Sequence, residues 1–294
     1  MKDKKILVLG SEGMLGREVL KNLIDKNYDI YSTYRGSSYK DSLDQKKFYG
    51  INNFDARDFL ELSKILDEIN PHIIINSIGI IKQLKKKVKD EDFFLLNSFL
   101  PKYLEYWCET NKKRLIHFST DCVFDGKKGS YNENDIPNAK DLYGLSKILG
   151  EVISQHSLTI RTSIIGHEIN SSNGLLEWFL SQKENTSVNG YKNAFFSGLS
   201  TSYLAEVVVE KIIEDKNLHG LLQFGGPRIS KFELLKIINK VYKKKININP
   251  SIDIEMDKSL NSQRAYKILG IKKLDWKFLV SHLFNSHIKK NEFL

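Results

Sequence analysis

The residues of this chain best suited to acid–base chemistry are a tyrosine and a lysine, Tyr143 and Lys147. They lie at the start of a predicted helix, Leu142–His156, and residues four apart on a helix face the same side. A tyrosine with a pKa of about 10 exchanges protons poorly near neutrality, but a neighbouring ammonium group favours the phenolate and lowers that pKa. The pair therefore predicts a lysine-activated tyrosine proton carrier. An isolated pair of this kind also occurs as a core tyrosine beside a surface lysine, so the rest of the sequence must decide.

Two hydroxyl side chains, Ser119 and Thr120, add to this chemistry. They directly follow Arg114–Phe118, which is predicted to be a buried strand. Ligands of open α/β sheets bind beyond the carboxyl ends of the strands. We therefore expect the two hydroxyls to lie at the ligand-binding edge of a sheet.

A glycine-rich turn near the N-terminus predicts a phosphate site. It lies between Lys5–Leu9, typical of a strand buried on both faces, and Arg17–Asp25, which is apolar at helical spacing. A helix N-terminus offers free N–H groups and a positive dipole end, and glycine lets a pyrophosphate approach the backbone. In this position an ordinary strand–helix turn is the less favoured alternative. The expected dinucleotide contacts are the glycines and the residues between the last two: Gly10, Gly13, Met14, Leu15 and Gly16.

The end of the second predicted strand, Tyr28–Thr33, bears on which dinucleotide binds. An NAD site usually places Asp or Glu there to bind the ribose hydroxyls. Here the residues Ser32–Arg35 include no carboxylate, and Arg35 offers a guanidinium for a 2′-phosphate. The sequence therefore favours NADP(H), with NAD(H) as the alternative if Arg35 is only a charge in the loop that follows, Arg35–Asp44.

Strands and helices alternate along the chain up to about residue 163. After Lys5–Leu9 the predicted strands are Tyr28–Thr33, His72–Asn76, Arg114–Phe118 and Leu158–Arg161. The predicted helices between them are Arg17–Asp25, Asp58–Asn70, Asp92–Asn111 and Leu142–His156. Such alternation implies right-handed crossovers and a doubly wound parallel sheet, so the predicted fold is α/β of the Rossmann type.

The alternation weakens beyond residue 163. The predicted elements there are the helices Asn173–Gln182, Ser202–Asp215 and Lys231–Lys244 and the strand Leu221–Phe224. We therefore predict a Rossmann domain over residues 1–163 and a smaller C-terminal α/β domain over residues 164–294. Some segments of the second part are expected to return to the first domain.

Composition excludes several classes of protein. With 41% hydrophobic and 28% charged residues and 5 prolines, the chain can bury a core. No apolar run approaches the roughly 20 residues of a membrane span, and the short run Ile6–Leu9 predicts no cleavable signal. The two cysteines, Cys108 and Cys122, cannot form a disulfide framework, which favours a reducing cytoplasm.

The net charge of +9 arises partly from lysine runs such as Lys85–Lys87 and Lys243–Lys245. Because these runs lack interleaved aromatic residues, we expect a solvated surface rather than a nucleic-acid interface. The same charge could attract a polyanionic small molecule. The seven histidines show no metal-ligand spacing, so no metal is predicted, although His167 could contact a substrate.

Several motifs together make the chain similar to the extended short-chain dehydrogenases/reductases, and within them to the dTDP-4-dehydrorhamnose reductase group. These motifs extend over nearly the whole chain: Gly10-x-x-Gly13-x-x-Gly16, Asn76-Ser-Ile-Gly79, Asn97, Ser119-Thr-Asp-x-Val-Phe-Asp-Gly126, Tyr143-Gly-x-Ser-Lys147 and Ile160-Arg-Thr-Ser163. The resemblance implies NADPH-dependent reduction of the 4-keto group of a nucleoside-diphosphate-linked 4-keto-6-deoxy sugar. Such enzymes supply sugars for surface polysaccharides.

The resemblance also implies roles for individual residues. Tyr143 would donate the proton, Lys147 would activate it and hold the nicotinamide ribose, and Thr120 would hydrogen-bond the reacting oxygen. The further cofactor contacts that it implies are Asp55, near the adenine, and Ser77, Ile78 and Gly79. The substrate contacts that it implies are Ser119, Asp121, Cys122, Val123 and Phe124. The region after residue 164 would bind the sugar nucleotide.

Three positions depart from the family pattern. Cys122 stands where these reductases usually carry tyrosine and where related dehydratases carry an acid–base glutamate, which argues against a dehydratase. Ile164 replaces a tryptophan that packs on the sugar, and Asp141 replaces a common asparagine. The identity of the sugar therefore stays open.

Two other functions stay open at this point. One is epimerisation by a nucleotide-sugar enzyme of the same superfamily, and the other is a non-catalytic NADP-binding regulatory subunit. The intact set of Thr120, Tyr143 and Lys147 argues against a pure binding role. The expected partner is a nucleotide sugar, with no nucleic acid and no membrane, and a homodimer is left open.

Overall fold

The computed structural model describes residues 4–36, 48–168 and 172–291, and the chain divides into two compact units. The first unit comprises Met1–Ser119, Lys140–Ile160 and Ala205–Leu221. The second unit comprises Thr120–Ala139, Arg161–Leu204 and Leu222–Leu294. The chain therefore passes between the units several times, once between Ser119 and Thr120.

The described residues between 4 and 120 form five strands and four α-helices by our numbering. They are β1 (Lys4–Leu9), α1 (Met14–Ile24), β2 (Tyr28–Thr33), β3 (Phe48–Ile51), α2 (Phe59–Ile69), β4 (Ile73–Asn76), α3 (Asp90–Phe94), α4 (Leu100–Thr110) and β5 (Arg114–Thr120). A π-helical turn, Leu95–Phe99, joins α3 to α4.

Further helices and strands follow residue 120. They are α5 (Leu142–Leu149), β6 (Ser157–Thr162), β7 (Ile164–Ile165), α6 (Leu175–Leu180), β8 (Ser187–Tyr191), β9 (Ala194–Phe196), β10 (Leu199–Ser200), α7 (Thr201–Val207), β11 (Gly220–Gln223), β12 (Ile229–Ser230), α8 (Lys231–Val241), β13 (Asn247–Ser251), β14 (Met256–Asp257), α9 (Gln263–Leu269) and α10 (Trp276–Asn291). None of the helices in the described ranges is long and apolar enough to cross a membrane.

A central sheet of seven strands has the order β11-β6-β5-β4-β1-β2-β3. Strand β1 pairs in parallel with β2 and β4, and the pairs β2–β3 and β4–β5 are parallel too. The chain order therefore reverses between β1 and β4, which is the place where doubly wound sheets bind their ligands. The predicted Rossmann-type α/β fold is confirmed.

Burial explains why the predicted strands form. The side chains of Ile6–Leu9 in β1 and of all of β4 are buried, as expected for strands covered on both faces. Helix α2 turns Leu62 and Leu66 into the same core, and Asp58 caps it by accepting a hydrogen bond from the Glu61 amide. Each fully buried leucine contributes about 2 kcal/mol through removal of apolar surface from water.

The described residues of the second unit form three small sheets. They have the orders β12-β9-β14, β13-β8 and β10-β7. Strand β8 pairs with β13 in parallel over five residues, from Ser187 opposite Asn247 to Tyr191 opposite Ser251. These short strands were not predicted, and neither were β3, α9 and α10. Their apolar patterns are too short, or too irregular, to stand out in the sequence.

Two predicted boundaries near the candidate site were wrong. Strand β5 continues through Ser119 and Thr120, so these are its last two residues rather than the first residues after it. Helix α5 ends at Leu149 instead of His156. The amide and carbonyl groups of Val152 exchange hydrogen bonds with the Thr159 hydroxyl, at 3.0 and 2.6 Å, and so turn the chain out of the helix. Of the predicted loop Arg35–Asp44, the part after Gly36 lies outside the described residues.

Candidate active site

The glycine turn between β1 and α1 is held by close contacts that exclude larger side chains. Gly10 has a φ of +82°, a conformation that favours glycine. A Cβ atom on Gly16 would lie 2.2 Å from the Gly10 carbonyl oxygen and 2.5 Å from Ser77 Oγ. Glycine is therefore needed at Gly16 so that the start of α1 can pack against the turn and the end of β4.

The turn has the properties of a phosphate cradle. Gly13 is the N-cap of α1, and the first turn of this 11-residue helix carries no acidic side chain. The positive dipole end and the free backbone N–H groups of this helix can therefore hold an anion. Met14 and Leu15 begin the helix. These residues fit the pyrophosphate of a dinucleotide.

Hydrogen bonds tie the turn to the neighbouring strands. The Ser11 hydroxyl donates to the Thr33 carbonyl at 2.7 Å, and the Ser77 hydroxyl donates to the Leu9 carbonyl at 2.6 Å. The Ser77 hydroxyl thus donates its hydrogen bond within the protein, and a contact of Ser77 with the cofactor stays a prediction. The turn is fixed from both sides, by the ends of β2 and β4.

A carboxylate does lie at the end of β2, although sequence analysis found none. It belongs to Glu12 of the glycine turn, whose Oε2 accepts a hydrogen bond from the Arg35 amide at 2.8 Å. An acid in this place can bind ribose hydroxyls, whereas the exposed Arg35 side chain offers a positive charge. Glu12 is 23 residues before Arg35 in the chain, so the strand sequence alone does not indicate this carboxylate.

Asp55 is occupied by a neighbouring arginine. Its two oxygens accept hydrogen bonds from Arg57, from Nε at 3.0 and 3.1 Å and from Nη2 at 2.6 Å. These bonds hold the pKa of Asp55 below its usual range, so the group is a carboxylate at neutral pH. Arg57 was not predicted as part of this region, and the predicted adenine contact of Asp55 stays a prediction.

Asn97 organises the segment that follows β4. Its side-chain amide exchanges two hydrogen bonds with the backbone of Ile80, at 2.8 and 3.0 Å, and donates to Ser146 Oγ at 3.0 Å. A Cβ atom on Gly79 would lie 3.2 Å from Asn97 Oδ1. The π-helical turn that contains Asn97 therefore positions Ile78 and Gly79 relative to α5. Such turns are common at functional sites.

Helix α5 presents Tyr143 and Lys147 one turn apart, as predicted. Asp141 caps the helix by accepting a hydrogen bond from the Gly144 amide at 3.2 Å. The Lys147 side chain is buried, and its Nζ donates to the Phe118 carbonyl at 2.7 Å. Burial lowers the pKa of Lys147 to about 8, and the negative charge of Glu151 opposes this shift. The ammonium group therefore lies close to its titration point at physiological pH.

Ser119, the last residue of β5 in the first unit, turns its hydroxyl to a carboxylate. Ser119 Oγ donates to Glu151 Oε1 at 2.8 Å. Glu151 follows the end of α5 and was not predicted as a functional residue. Glu151 lies four residues after Lys147 in the sequence. This spacing gains meaning only because Lys147 is buried, which the sequence does not show.

The predicted catalytic threonine and substrate segment begin the second unit. The Thr120 hydroxyl accepts a hydrogen bond from the Cys122 amide at 3.1 Å and donates to Asp121 Oδ1 at 3.2 Å. Burial raises the pKa of the Asp121 carboxyl and raises the pKa of the Cys122 thiol to about 12. Cys122 is therefore a neutral thiol at physiological pH and no acid–base group.

The next two residues are part of the core of the second unit. Val123 and Phe124 are fully buried. The Phe124 ring stacks on Tyr131 with centroids 4.0 Å apart, and the Arg161 guanidinium lies 5.3 Å from its centroid. Substrate contacts by Val123 and Phe124 stay predictions, because their described contacts are with the protein itself.

His167, also in the second unit, is buried and has hydrogen-bond partners at both ring nitrogens. Nδ1 lies 2.6 Å from Glu177 Oε1, and Nε2 lies 2.9 Å from the Tyr242 hydroxyl. His287 stacks on its ring at 3.7 Å. The described part of the chain contains no group of three or more His, Cys, Asp or Glu residues that could hold a metal ion.

Comparison with known proteins identifies the family. Residues 4–284 match the family model described as the RmlD substrate binding domain. The chain belongs to this family. The match covers most of the chain, and it confirms the resemblance found in the sequence motifs.

Two curated relatives bear different names. A dTDP-4-dehydrorhamnose reductase of Aggregatibacter actinomycetemcomitans is 27% identical over 233 residues, or 76% of this chain and 73% of the relative. A methionine adenosyltransferase 2 subunit beta of Danio rerio is 26% identical over 244 residues, or 79% and 72%. Relatives of both kinds are thus similar to this chain to about the same degree.

Two solved structures have the same fold. A hypothetical dTDP-4-dehydrorhamnose reductase from Sulfolobus tokodaii superposes with a TM-score of 0.77 at 29% identity, covering 92% of this chain and 98% of its own. A dTDP-4-dehydrorhamnose reductase from Bacillus anthracis, solved in complex with NADP, gives 0.77 at 20% identity, covering 97% and 99%.

Proposed function

We propose that the chain is an NADPH-dependent reductase of a nucleoside-diphosphate-linked 4-keto-6-deoxy sugar. The observation that carries the proposal is the buried Lys147, whose pKa is near neutral, one helical turn from Tyr143 in the unit that contains the glycine turn. The reductase relatives of the family support the substrate class. The reduced sugar would be a building block of surface polysaccharides.

In this reaction three residues of the chain act on the ketone oxygen or on its proton donor. A bound NADPH supplies the hydride. Tyr143 holds the proton that the ketone oxygen gains as it becomes a hydroxyl, and the Lys147 ammonium stabilises the phenolate that remains. The Thr120 hydroxyl, which donates to Asp121 in the structure, would turn its single proton to the same oxygen while negative charge develops on it.

NADPH is the proposed cofactor and NADH the alternative. Arg35 favours a 2′-phosphate, and Glu12 at the same strand end favours free ribose hydroxyls. Neighbours in the comparisons were solved with NADP or with NAD. The two charges thus act in opposite directions on cofactor choice.

The test is a screen of nucleotide-linked 4-keto sugars with NADPH and with NADH, following the loss of reduced cofactor absorbance. A reductase consumes one NADPH for each molecule of product, and this is the expected result. Conversion of the sugar without loss of NADPH would show an epimerase instead.

A regulatory subunit is the second candidate, because several curated relatives are named methionine adenosyltransferase 2 subunit beta. A chain with that role would bind NADPH tightly and convert no keto sugar in the same screen. The retained Thr120, Tyr143 and Lys147 favour the reductase.

We also propose a homodimer in the cytoplasm. Six large apolar side chains are exposed on α3–α4 and on α5 with the segment after it: Phe94, Phe99, Tyr106, Leu145, Leu149 and Ile153. Phe94, Phe99 and Leu149 line one groove, and exposed apolar patches of this kind are typical of interfaces, so a second copy would cover it. Light scattering should give twice the mass of the chain. Leu149→Glu should reduce the measured mass to that of a single chain. Ile136→Glu, which changes an exposed residue of the second unit, should leave the mass unchanged.

A further inference from the structure

Two neighbouring residues of β5 hold two opposite charges of the α5 region. The Phe118 carbonyl accepts a hydrogen bond from Lys147 Nζ at 2.7 Å, and the Ser119 hydroxyl donates one to Glu151 Oε1 at 2.8 Å. Ser119 and Lys147 are buried, and Glu151 is half-buried. The end of one strand therefore fixes an ammonium group and a carboxylate four residues apart in the chain.

The other charged groups around this pair do not replace Glu151. His117 of β5 is fully buried, and burial lowers its pKa well below the usual value, so its ring is neutral. On α4, Lys102 donates to the Glu151 carbonyl oxygen at 2.6 Å, and its Nζ lies 3.5 Å from Glu105 Oε2 in a partly buried ion pair. Among the described residues, Glu151 is the acid whose charge acts on Lys147.

We propose that Ser119 and Glu151 form a positioning pair, which places a fixed negative charge near Lys147 and keeps its ammonium group charged at neutral pH. Neither residue needs to touch the substrate for this role. Ser119 is thereby assigned to the lysine rather than to the reacting oxygen. The effect of this pair on catalysis rests on the proposed function. The charge of Lys147 itself can be measured without substrate or cofactor.

The measurement uses the link between protonation and stability. Lys147 titrates near pH 8 in the folded chain and near 10.5 when unfolded. Between these values the folded chain binds fewer protons, so the unfolding free energy of the wild type rises relative to that of Lys147→Met as the pH increases. The pH at which this rise begins reports the folded-state pKa of Lys147.

Denaturant unfolding from pH 6 to about 11 measures the difference in unfolding free energy between the wild type and Lys147→Met. The same difference is then measured between Glu151→Gln and the double variant that carries both substitutions. We expect the rise to begin about one pH unit lower when Glu151 is neutral. Glu105→Gln, which neutralises the neighbouring acid of α4, should leave the onset unchanged. An onset that does not move with Glu151→Gln, or that moves equally with Glu105→Gln, overturns the proposal.

The role of Ser119 is tested in the same way. Ser119→Ala keeps the charge of Glu151 but frees its carboxylate, so the onset should move in the same direction by a smaller amount. Ser119→Thr, which keeps a hydroxyl, should restore it. If Ser119→Ala leaves the onset unchanged while Glu151→Gln moves it, the assignment of the two residues as a pair is wrong.

A second measurement is the pH dependence of the rate of ketone reduction. It requires only the Glu151→Gln variant, so it can be made even if Lys147→Met does not fold. The alkaline limb of the rate should move to lower pH by about the same one unit. A merely structural role would lower the rate at every pH and leave the limb in place, which would contradict the proposal. Absence of turnover in the wild type would instead contradict the proposed function, and the unfolding experiment would still decide the charge of Lys147.

Discussion

The glycine turn after β1 and the lysine of α5 belong to the same unit, but different forces fix them. At the turn the constraint is steric, because a Cβ atom on Gly16 would lie 2.2 Å from a carbonyl oxygen. At α5 the constraint is electrostatic, because burial lowers the pKa of Lys147 to about 8 and Glu151 opposes this. A steric requirement selects one residue type, whereas an electrostatic one depends on several residues that lie apart in the chain.

The largest effect should come from Tyr143→Phe, which tests the electrostatic side of this comparison. The change removes the proton donor and leaves the glycine turn intact. We expect the rate of ketone reduction to fall by about 10³-fold or more, with the NADPH dissociation constant changed little. Fluorescence titration with NADPH gives the second quantity, and ordinary activity in this variant would refute the role of Tyr143.

The next effect should come from Gly16→Ala, which tests the steric side. The added methyl group must push α1 away from the Gly10 carbonyl, so we expect about 2–3 kcal/mol less stability and a loss of NADPH affinity. Gly174→Ala is the matched control, because among the described residues no atom lies closer than 3.4 Å to that Cβ position. Urea unfolding of the two variants measures the difference, and equal stabilities would show that the turn adapts at no cost.

The smallest effect concerns the choice of cofactor at the end of β2, where a charged residue of the glycine turn lies beside a charged residue of the following loop. Glu12→Gln removes a negative charge and should raise the preference for NADPH over NADH by roughly tenfold. Arg35→Asp should change the preference in the opposite direction by a similar factor. The ratio of the two dissociation constants measures both effects. Variants that move the ratio in the same direction would show that these charges do not face the 2′ position.

The sequence by itself determined the fold and the residues of the turn. Buried strands such as β1 and β4 are continuous apolar runs, and helices such as α2 have apolar residues at helical spacing. The spacing of Tyr143 and Lys147 places them on one face of α5, because helical geometry is local. Each of these predictions needs only residues that are close together in the chain.

The tertiary structure alone decided the environment of those residues. The contact of Glu12 with Arg35 joins residues 23 positions apart, and that of Ser119 with Glu151 joins residues 32 apart. Thr159 ends α5 early by bonding to Val152, and Phe118 accepts the ammonium of Lys147 across 29 positions. Burial and charge depend on such distant pairs, so the pKa of Lys147 follows from packing that no local pattern encodes.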